Sequence, residues 1–147
     1  MTIRNFEEYL NEGIVKNQHP DISRAKYLIE ETKKSYISLN LFIKNIKIDN
    51  NTANTAIKLC HDIIHELIRA IMLKKGLIAT GIGSHEAEVS YLRKIGIKEK
   101  DVSFIDQLRY SRNSITYYGK ILDKEYAEIV CDFLTKNYPI LLKIAES

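Results

Sequence analysis

Apolar residues recur at alternating spacings of three and four positions between Asp21 and Ile46, and this repeat restricts the possible folds more than any other feature. The spacing is that of an α-helix with one apolar face, whereas a half-buried strand would need apolar and polar residues to alternate at every position. Ile29, Tyr36 and Ile43 widen the stripe. We therefore predict a long bundle helix capped by Asp21. The repeat consists of Ala25, Leu28, Thr32, Ser35, Leu39, Phe42 and Ile46.

A second long helix is predicted after the polar turn 49–52, ending near Lys75 and Gly76. Because the turn is short, this helix should run antiparallel to the first. Its predicted core face is formed by Ile57, Cys60, Ile63, Ile64, Leu67, Ile68 and Ile71.

The segment Asp101–Gly119, here called the signature helix, carries the most chemically diverse side chains. Asp101 is its predicted N-cap, and Gly119 its predicted left-handed stop. Arg112 falls on the margin of the predicted core face, which consists of Phe104, Ile105, Leu108, Ser111, Ile115 and Tyr118. The remaining face suits a partner, a ligand or a dimer mate, because it carries hydrogen-bonding groups and aromatic rings: Thr116, Arg109, Asn113, Asp106, Tyr117 and Tyr110.

The last long helix is predicted to start at the Asp123 cap, with Pro139 bending or breaking it near Asn137. Its predicted core residues are Tyr126, Ala127, Val130, Phe133, Leu134 and Leu141.

Two short helices complete the predicted fold. One starts at Thr2 or Asn5 and ends before Pro20, with Phe6, Leu10, Ile14 and Val15 as its apolar side. The other runs from His85 to Ile95, with Ser84 as its cap and Gly96 as its stop, after a flexible loop over 77–83. No segment has the alternating pattern of a strand. We predict one all-α domain over residues 1–147, an antiparallel up-down bundle of four long and two short helices.

The net charge of +3 is concentrated near the signature helix. Residues 93–120 hold seven Lys or Arg against three acids, a local balance of +4, and the rest holds 15 against 16. The seven are Arg93, Lys94, Lys98, Lys100, Arg109, Arg112 and Lys120. Such a cluster is expected where phosphate is the partner, although charge counting alone does not separate it from chance.

Cys60 and Cys131 lie on predicted apolar faces far apart in sequence, so we expect buried free thiols in a reducing compartment. No stretch approaches the roughly 18 apolar residues of a membrane span. We therefore expect a cytoplasmic protein without a membrane partner.

The run 112–119, RNSITYYG, resembles the HEPN family (higher eukaryotes and prokaryotes nucleotide-binding domains), whose pattern is an Arg, often a polar residue such as Asn, and a His after four to six intervening residues. Arg112 and Asn113 match, but Tyr117 stands where the His would be. The segment 84–92, SHEAEVSYL, extends the resemblance to small archaeal-type HEPN-like proteins and so to nearly the whole chain.

The resemblance implies a homodimer in which Arg112 contacts phosphate and Asn113 orients Arg112. Tyr117 is a poor replacement for the basic His of the family, but it can donate a hydrogen bond or stack on a base. The expected ligand-binding groove contains Arg109, Arg112, Asn113, Tyr117, Tyr118, His85 and Glu88. If the site is catalytic, Arg112, Asn113 and Tyr117 carry the activity.

Three functions are compatible with this resemblance. The first is an RNA- or nucleotide-binding module with weak or absent activity, which Tyr117 favours. The second is a metal-independent endoribonuclease, the toxin of a pair with a minimal nucleotidyltransferase. The third is a structural or adaptor bundle, in which the Arg112 face only closes the dimer.

The pair His61 and His65 is separated by one helical turn, a spacing at which two imidazoles can hold a metal ion. Asp62 stands where zinc-protease motifs have Glu, and the helical wheel places His61 at the core edge and His65 farther into solvent. We therefore expect neither a metal nor another cofactor. His85, Glu86 and Glu88 could serve acid–base chemistry, or the acids could merely favour the start of a helix.

Overall fold

The computed structural model describes residues 3–147, which form six α-helices and one two-stranded antiparallel sheet. In chain order the elements are α1 (Phe6–Asn11), β1 (Val15–Asn17), α2 (Ile22–Ile46), α3 (Ala53–Lys74), β2 (Leu77–Ala79), α4 (Ser84–Tyr91), a 3₁₀ segment (Leu92–Ile95), α5 (Glu99–Tyr118) and α6 (Lys124–Glu146). The prediction of an all-α bundle of four long and two short helices is confirmed.

Helix α3 is the centre of the bundle and packs against α2, α4, α5 and α6. Every residue of its predicted core face is buried. The N–H of Asp21 donates to the Leu73 carbonyl at 3.0 Å, so α2 starts where α3 ends. Lys74 Nζ donates to the Ala145 carbonyl at 2.7 Å, so α3 and α6 end together. Helices α2 and α3 therefore run antiparallel, and α6 runs parallel to α3.

The predicted helix caps are partly correct. The Asp21 and Asp123 carboxylates accept from the N–H groups of Arg24 and Tyr126 at 3.0 and 2.9 Å. Gly96 and Gly119 end their helices in the left-handed conformation, as predicted.

Two other predicted caps are wrong. Helix α5 starts at Glu99, so Asp101 lies inside its first turn rather than at the cap. Helix α4 starts at Ser84 itself, after Gly83. An acid in the first turn favours the helix without capping it, which explains why Asp101 was wrongly predicted as the N-cap.

The N-terminal segment departs most from its prediction. Helix α1 ends at Asn11, and Val15–Asn17 forms β1, which pairs with Leu77–Ala79 where a flexible loop was expected. Gly76 permits this pairing, because a Cβ at its positive φ would collide with the Gln18 carbonyl. The predicted start at Asn5 is confirmed by a capping box with Glu8, and Thr2 lies outside the described residues.

Two residues predicted to be in the core are exposed. Ile46 and Tyr118 end α2 and α5, and their side chains are 58% and 83% accessible. Pro139 does not break α6, which continues to Glu146. Pro139 and Thr135, whose carbonyl would have bonded to residue 139, both face solvent, so water can replace the lost donor.

Cys60 and Cys131 are both buried and free, and their sulfurs lie 3.7 Å apart across the α3–α6 interface. Among the described residues, no helix is long and apolar enough to span a membrane.

Asn54 holds the loop between α5 and α6. Its Nδ2 donates to the Lys120 carbonyl and its Oδ1 accepts from the Leu122 N–H, each at 3.0 Å. Asn54→Ala removes both bonds, so we expect it to lower the free energy of unfolding by about 1–3 kcal/mol in urea titrations. Thr55→Ala, at an exposed neighbouring position, should change it by less than about 0.5 kcal/mol. Equal effects of the two variants would show that other contacts hold the loop.

Candidate functional site

Arg112 lines a cavity of about 200 Å³ between α3, α4 and α5, here called the polar cavity. Its Nε is buried and has no hydrogen-bond partner among residues 3–147. The closest acid is Asp62, with Nε and Oδ1 3.8 Å apart, beyond hydrogen-bond distance. The other walls of the polar cavity are His61, Asp62, His65, Glu66, Arg69 and His85. Arg112 therefore brings a planar cation with spare donors to a cavity lined by three imidazoles.

His61 and Asp62 form a hydrogen-bonded pair beside Arg112. His61 Nδ1 lies 2.9 Å from Asp62 Oδ1, and because a carboxylate only accepts, Nδ1 carries the hydrogen. In the neutral ring Nε2 is then an acceptor, and it is buried without a partner. Burial would raise the pKa of Asp62, but His61 and Arg112 outweigh it and hold the pKa below its usual value. The carboxylate thus fixes the orientation and tautomer of His61.

His65 is buried, which corrects the expectation that it faces solvent. Its ring stacks on His61 at 4.2 Å between centroids and lies 5.4 Å from the ring of His85. Helix α4 covers this side of α3, which the helical wheel of α3 alone could not show. Burial lowers the pKa of His65 to about 4, although Glu88, 3.8 Å away, opposes the shift. His65 is therefore neutral at pH 7.

Glu88 is buried rather than free to bind a ligand. It accepts from Arg69 Nε and Nη2 at 2.9 and 3.3 Å, which fastens α4 to α3. Burial would raise the pKa of Glu88, but its contacts with His65 and Arg69 outweigh this and keep the pKa low. His85 remains half-buried, and burial lowers its pKa. Of the two, His85 is the one open to a ligand.

Arg109 is also buried and does not line the polar cavity. Its Nε donates to the buried Asp106 at 2.9 Å, and its guanidinium lies 4.5 Å from the Tyr110 ring centroid. Arg109 and Asp106 were predicted on an open face of the helix, but α4 and the 3₁₀ segment pack against α5. The expected role of Arg109 in a groove therefore has no support from its position.

The remaining expected groove residues lie beyond the polar cavity. Asn113 is half-buried, whereas Tyr117 and Tyr118 are 69% and 83% accessible. The structure thus brings Arg112 to the histidines but does not bring Tyr117 or Tyr118 to the cavity lining.

Three of the seven basic side chains in residues 93–120 form close ion pairs with acids. Arg93 binds Glu99 at 2.7 Å, Lys94 binds Glu7, and Arg109 binds Asp106. Arg93, Lys94 and Arg109 are therefore already paired with acids.

A second cavity of about 250 Å³, here called the strand-edge cavity, adjoins the polar cavity, since Arg69 and His85 line both. Its other walls are Arg24, Met72, Leu73, Leu77, Ile78, Ala79, Thr80, Ser84 and Glu88. The two cavities together have the size of a small-molecule site, for which about 300–1,000 Å³ is usual.

The sequence pattern missed that His61, His65 and Arg112 meet. The one available signal was the one-turn histidine spacing, which indicated a shared helix face but not the helix opposite.

Among residues 3–147 no group of three or more His, Cys, Asp or Glu side chains is arranged to hold a metal ion.

No family model matches the chain, and no curated protein or solved structure matches it either.

His65 should make the protein sensitive to mild acid. Because its pKa is about 4 in the folded protein and 6.5 in the reference state, the unfolded chain takes up the proton first as the pH falls. We expect a loss of about 1–2 kcal/mol of unfolding free energy between pH 7 and pH 5. The lowered carboxyl pKa values of Asp62 and Glu88 act only at lower pH.

Urea titrations of His65→Leu at both pH values test this expectation. The variant should lose less stability than the wild type, with His85 accounting for a smaller residual loss. His19→Leu, at an exposed position, should behave as the wild type does. An unchanged pH dependence in His65→Leu would contradict the assignment.

Proposed function

We propose that this protein binds a phosphate group of RNA or of a nucleotide at the polar cavity, through Arg112. The observation that carries the proposal is the buried Arg112 Nε, which has no hydrogen-bond partner in the described chain. A buried donor without a partner costs free energy, and phosphate matches the planar guanidinium fork. Asp62 and Glu66 line the same cavity, so the phosphate must lie closer to Arg112 than to either carboxylate.

The resemblance of RNSITYYG to the HEPN family supports the same proposal, because Arg112 is the residue that matches the family's Arg. Asn113 follows it and is half-buried, and the exposed rings of Tyr117 and Tyr118 are available to stack on bases outside the cavity. On this proposal the protein acts in the cytoplasm as a homodimer, with Tyr110 and Asn113 in the interface.

Arg112→Ala should weaken binding of single-stranded RNA about ten- to a hundredfold, the equivalent of a lost charge-assisted contact of about 1.5–3 kcal/mol. Arg112→Lys should recover only part of the affinity, because it restores the charge but not the fork. Fluorescence anisotropy at two salt concentrations measures both, and wild-type binding should weaken with salt. Lys136→Ala, an exposed charge on α6, is the matched control. If Arg112→Ala binds as tightly as this control, the adaptor alternative replaces the proposal.

The second candidate function is metal-independent RNA cleavage, which the histidines beside Arg112 favour. Tyr117 does not line the polar cavity, whereas His61 and His85 do, so the two histidines would perform the proton transfers instead. His61 Nε2 would take the proton of a ribose 2′-OH as that oxygen bonds to phosphorus. The bond from phosphorus to O5′ then breaks, O5′ takes a proton from the protonated form of His85, and a 2′,3′-cyclic phosphate remains. If cleavage is the function, we propose that this protein is a toxin and that its partner is a minimal nucleotidyltransferase.

For this candidate, wild-type protein should cleave single-stranded RNA in the presence of a chelator, and His85→Asn should slow cleavage by about a hundredfold or more. Both His19→Asn and Tyr117→Phe should cleave at the wild-type rate. Electrophoresis of end-labelled RNA measures all four proteins. Absence of cleavage by the wild type would reject the second candidate and leave the binding proposal intact.

A further inference from the structure

Strand β2 has one edge without a strand partner, because it pairs only with β1 in this two-stranded sheet of the described chain. The N–H groups of Thr80 and Gln18 donate to the carbonyls of Ile14 and Gly76 at 2.9 and 2.8 Å. In an antiparallel pair every second residue bonds to the partner, so Ile78, opposite Lys16, is also turned toward β1. Leu77 and Ala79 therefore direct their N–H and C=O groups away from β1.

This open edge lines the strand-edge cavity. The lining includes the consecutive residues 77–80, whose side chains alternate between the two faces of the strand. Four successive residues can reach one cavity only if the backbone itself forms part of its wall. Buried Met72 and Leu73 supply an apolar surface in the same cavity. The cavity thus combines apolar contacts with a fixed backbone acceptor and donor.

We propose that the strand-edge cavity binds an adenine base, with the Leu77 carbonyl accepting from the 6-amino group and the Ala79 N–H donating to N1. Guanine or uracil would place an oxygen against the Leu77 carbonyl and an N–H against the Ala79 N–H. That mismatch leaves buried polar groups unpaired, so these bases are rejected. Cytosine offers the same edge as adenine but a smaller ring, and it makes less apolar contact.

The position of the two cavities connects this base to a phosphate. Arg69 and His85 line both cavities, whereas Arg112 lines only the polar cavity. A nucleotide with adenine at the strand edge extends its phosphate past Arg69 and His85 toward Arg112. The inference therefore rests on the proposed function and adds the base that accompanies the phosphate.

Calorimetric titration with AMP, GMP and ribose 5-phosphate, and with hexameric oligo(A) and oligo(U) RNA, tests the proposal. We expect at least a tenfold preference for AMP over the other two small ligands, or for oligo(A) over oligo(U). A preference with AMP indicates a free nucleotide, and a preference only with oligo(A) indicates an unstacked base of RNA. Equal affinities for the three small ligands and for the two RNAs would overturn the adenine site. The phosphate proposal is tested separately, by the binding of RNA to Arg112→Ala.

Ala79→Pro removes the proposed donor directly. Its N–H points away from β1, so proline should leave the sheet pairing intact, and Ala79→Ser keeps the N–H as the matched control. We expect Ala79→Pro to lose the adenine preference and Ala79→Ser to keep it, with circular dichroism reporting the fold of both. If the proline variant does not fold, amide shifts in wild-type protein decide, since the adenine ligand should move the Ala79 N–H signal and an unmoved signal overturns the proposal.

Discussion

The burial of most of α3 is the constraint on which the rest of the structure depends. A helix packed against four others can keep buried polar side chains only if its neighbours supply partners or a cavity. Arg69 has such a partner in Glu88 of α4. His61 has Asp62, whereas His65 has neither nitrogen satisfied within the described residues. The polar cavity exists because α4 and α5 close over these groups without filling the space between them.

The parts of the fold that were predictable depend on neighbours in sequence. Asp21 and Asp123 cap helices through bonds three residues away, and Gly119 ends one through its own backbone conformation. The pairing of Val15–Asn17 with Leu77–Ala79 was not predictable, because strands of three residues carry too little pattern to stand out. Long-range contacts determine both that pairing and the burial of His65.

The same division applies to the candidate site. The margin position predicted for Arg112 agrees with its half-buried side chain, since a helical wheel gives the angle of a residue around its own axis. The wheel does not give what lies opposite, so it placed Arg109 and Asp106 on an open face that is in fact covered. Glu88 illustrates the same limit, because its partner Arg69 is 19 residues away on another helix.

The sheet has a consequence for the order in which the molecule forms and opens. Pairing β1 with β2 closes a loop of about sixty residues, whereas α2 and α3 meet through a short turn. Closing a longer loop costs more chain entropy, so the helical hairpin should form first and the strands should join late. Late and small elements are also the first to open in local fluctuations. The wall of the strand-edge cavity is therefore a part of the chain that can detach while the bundle stays folded.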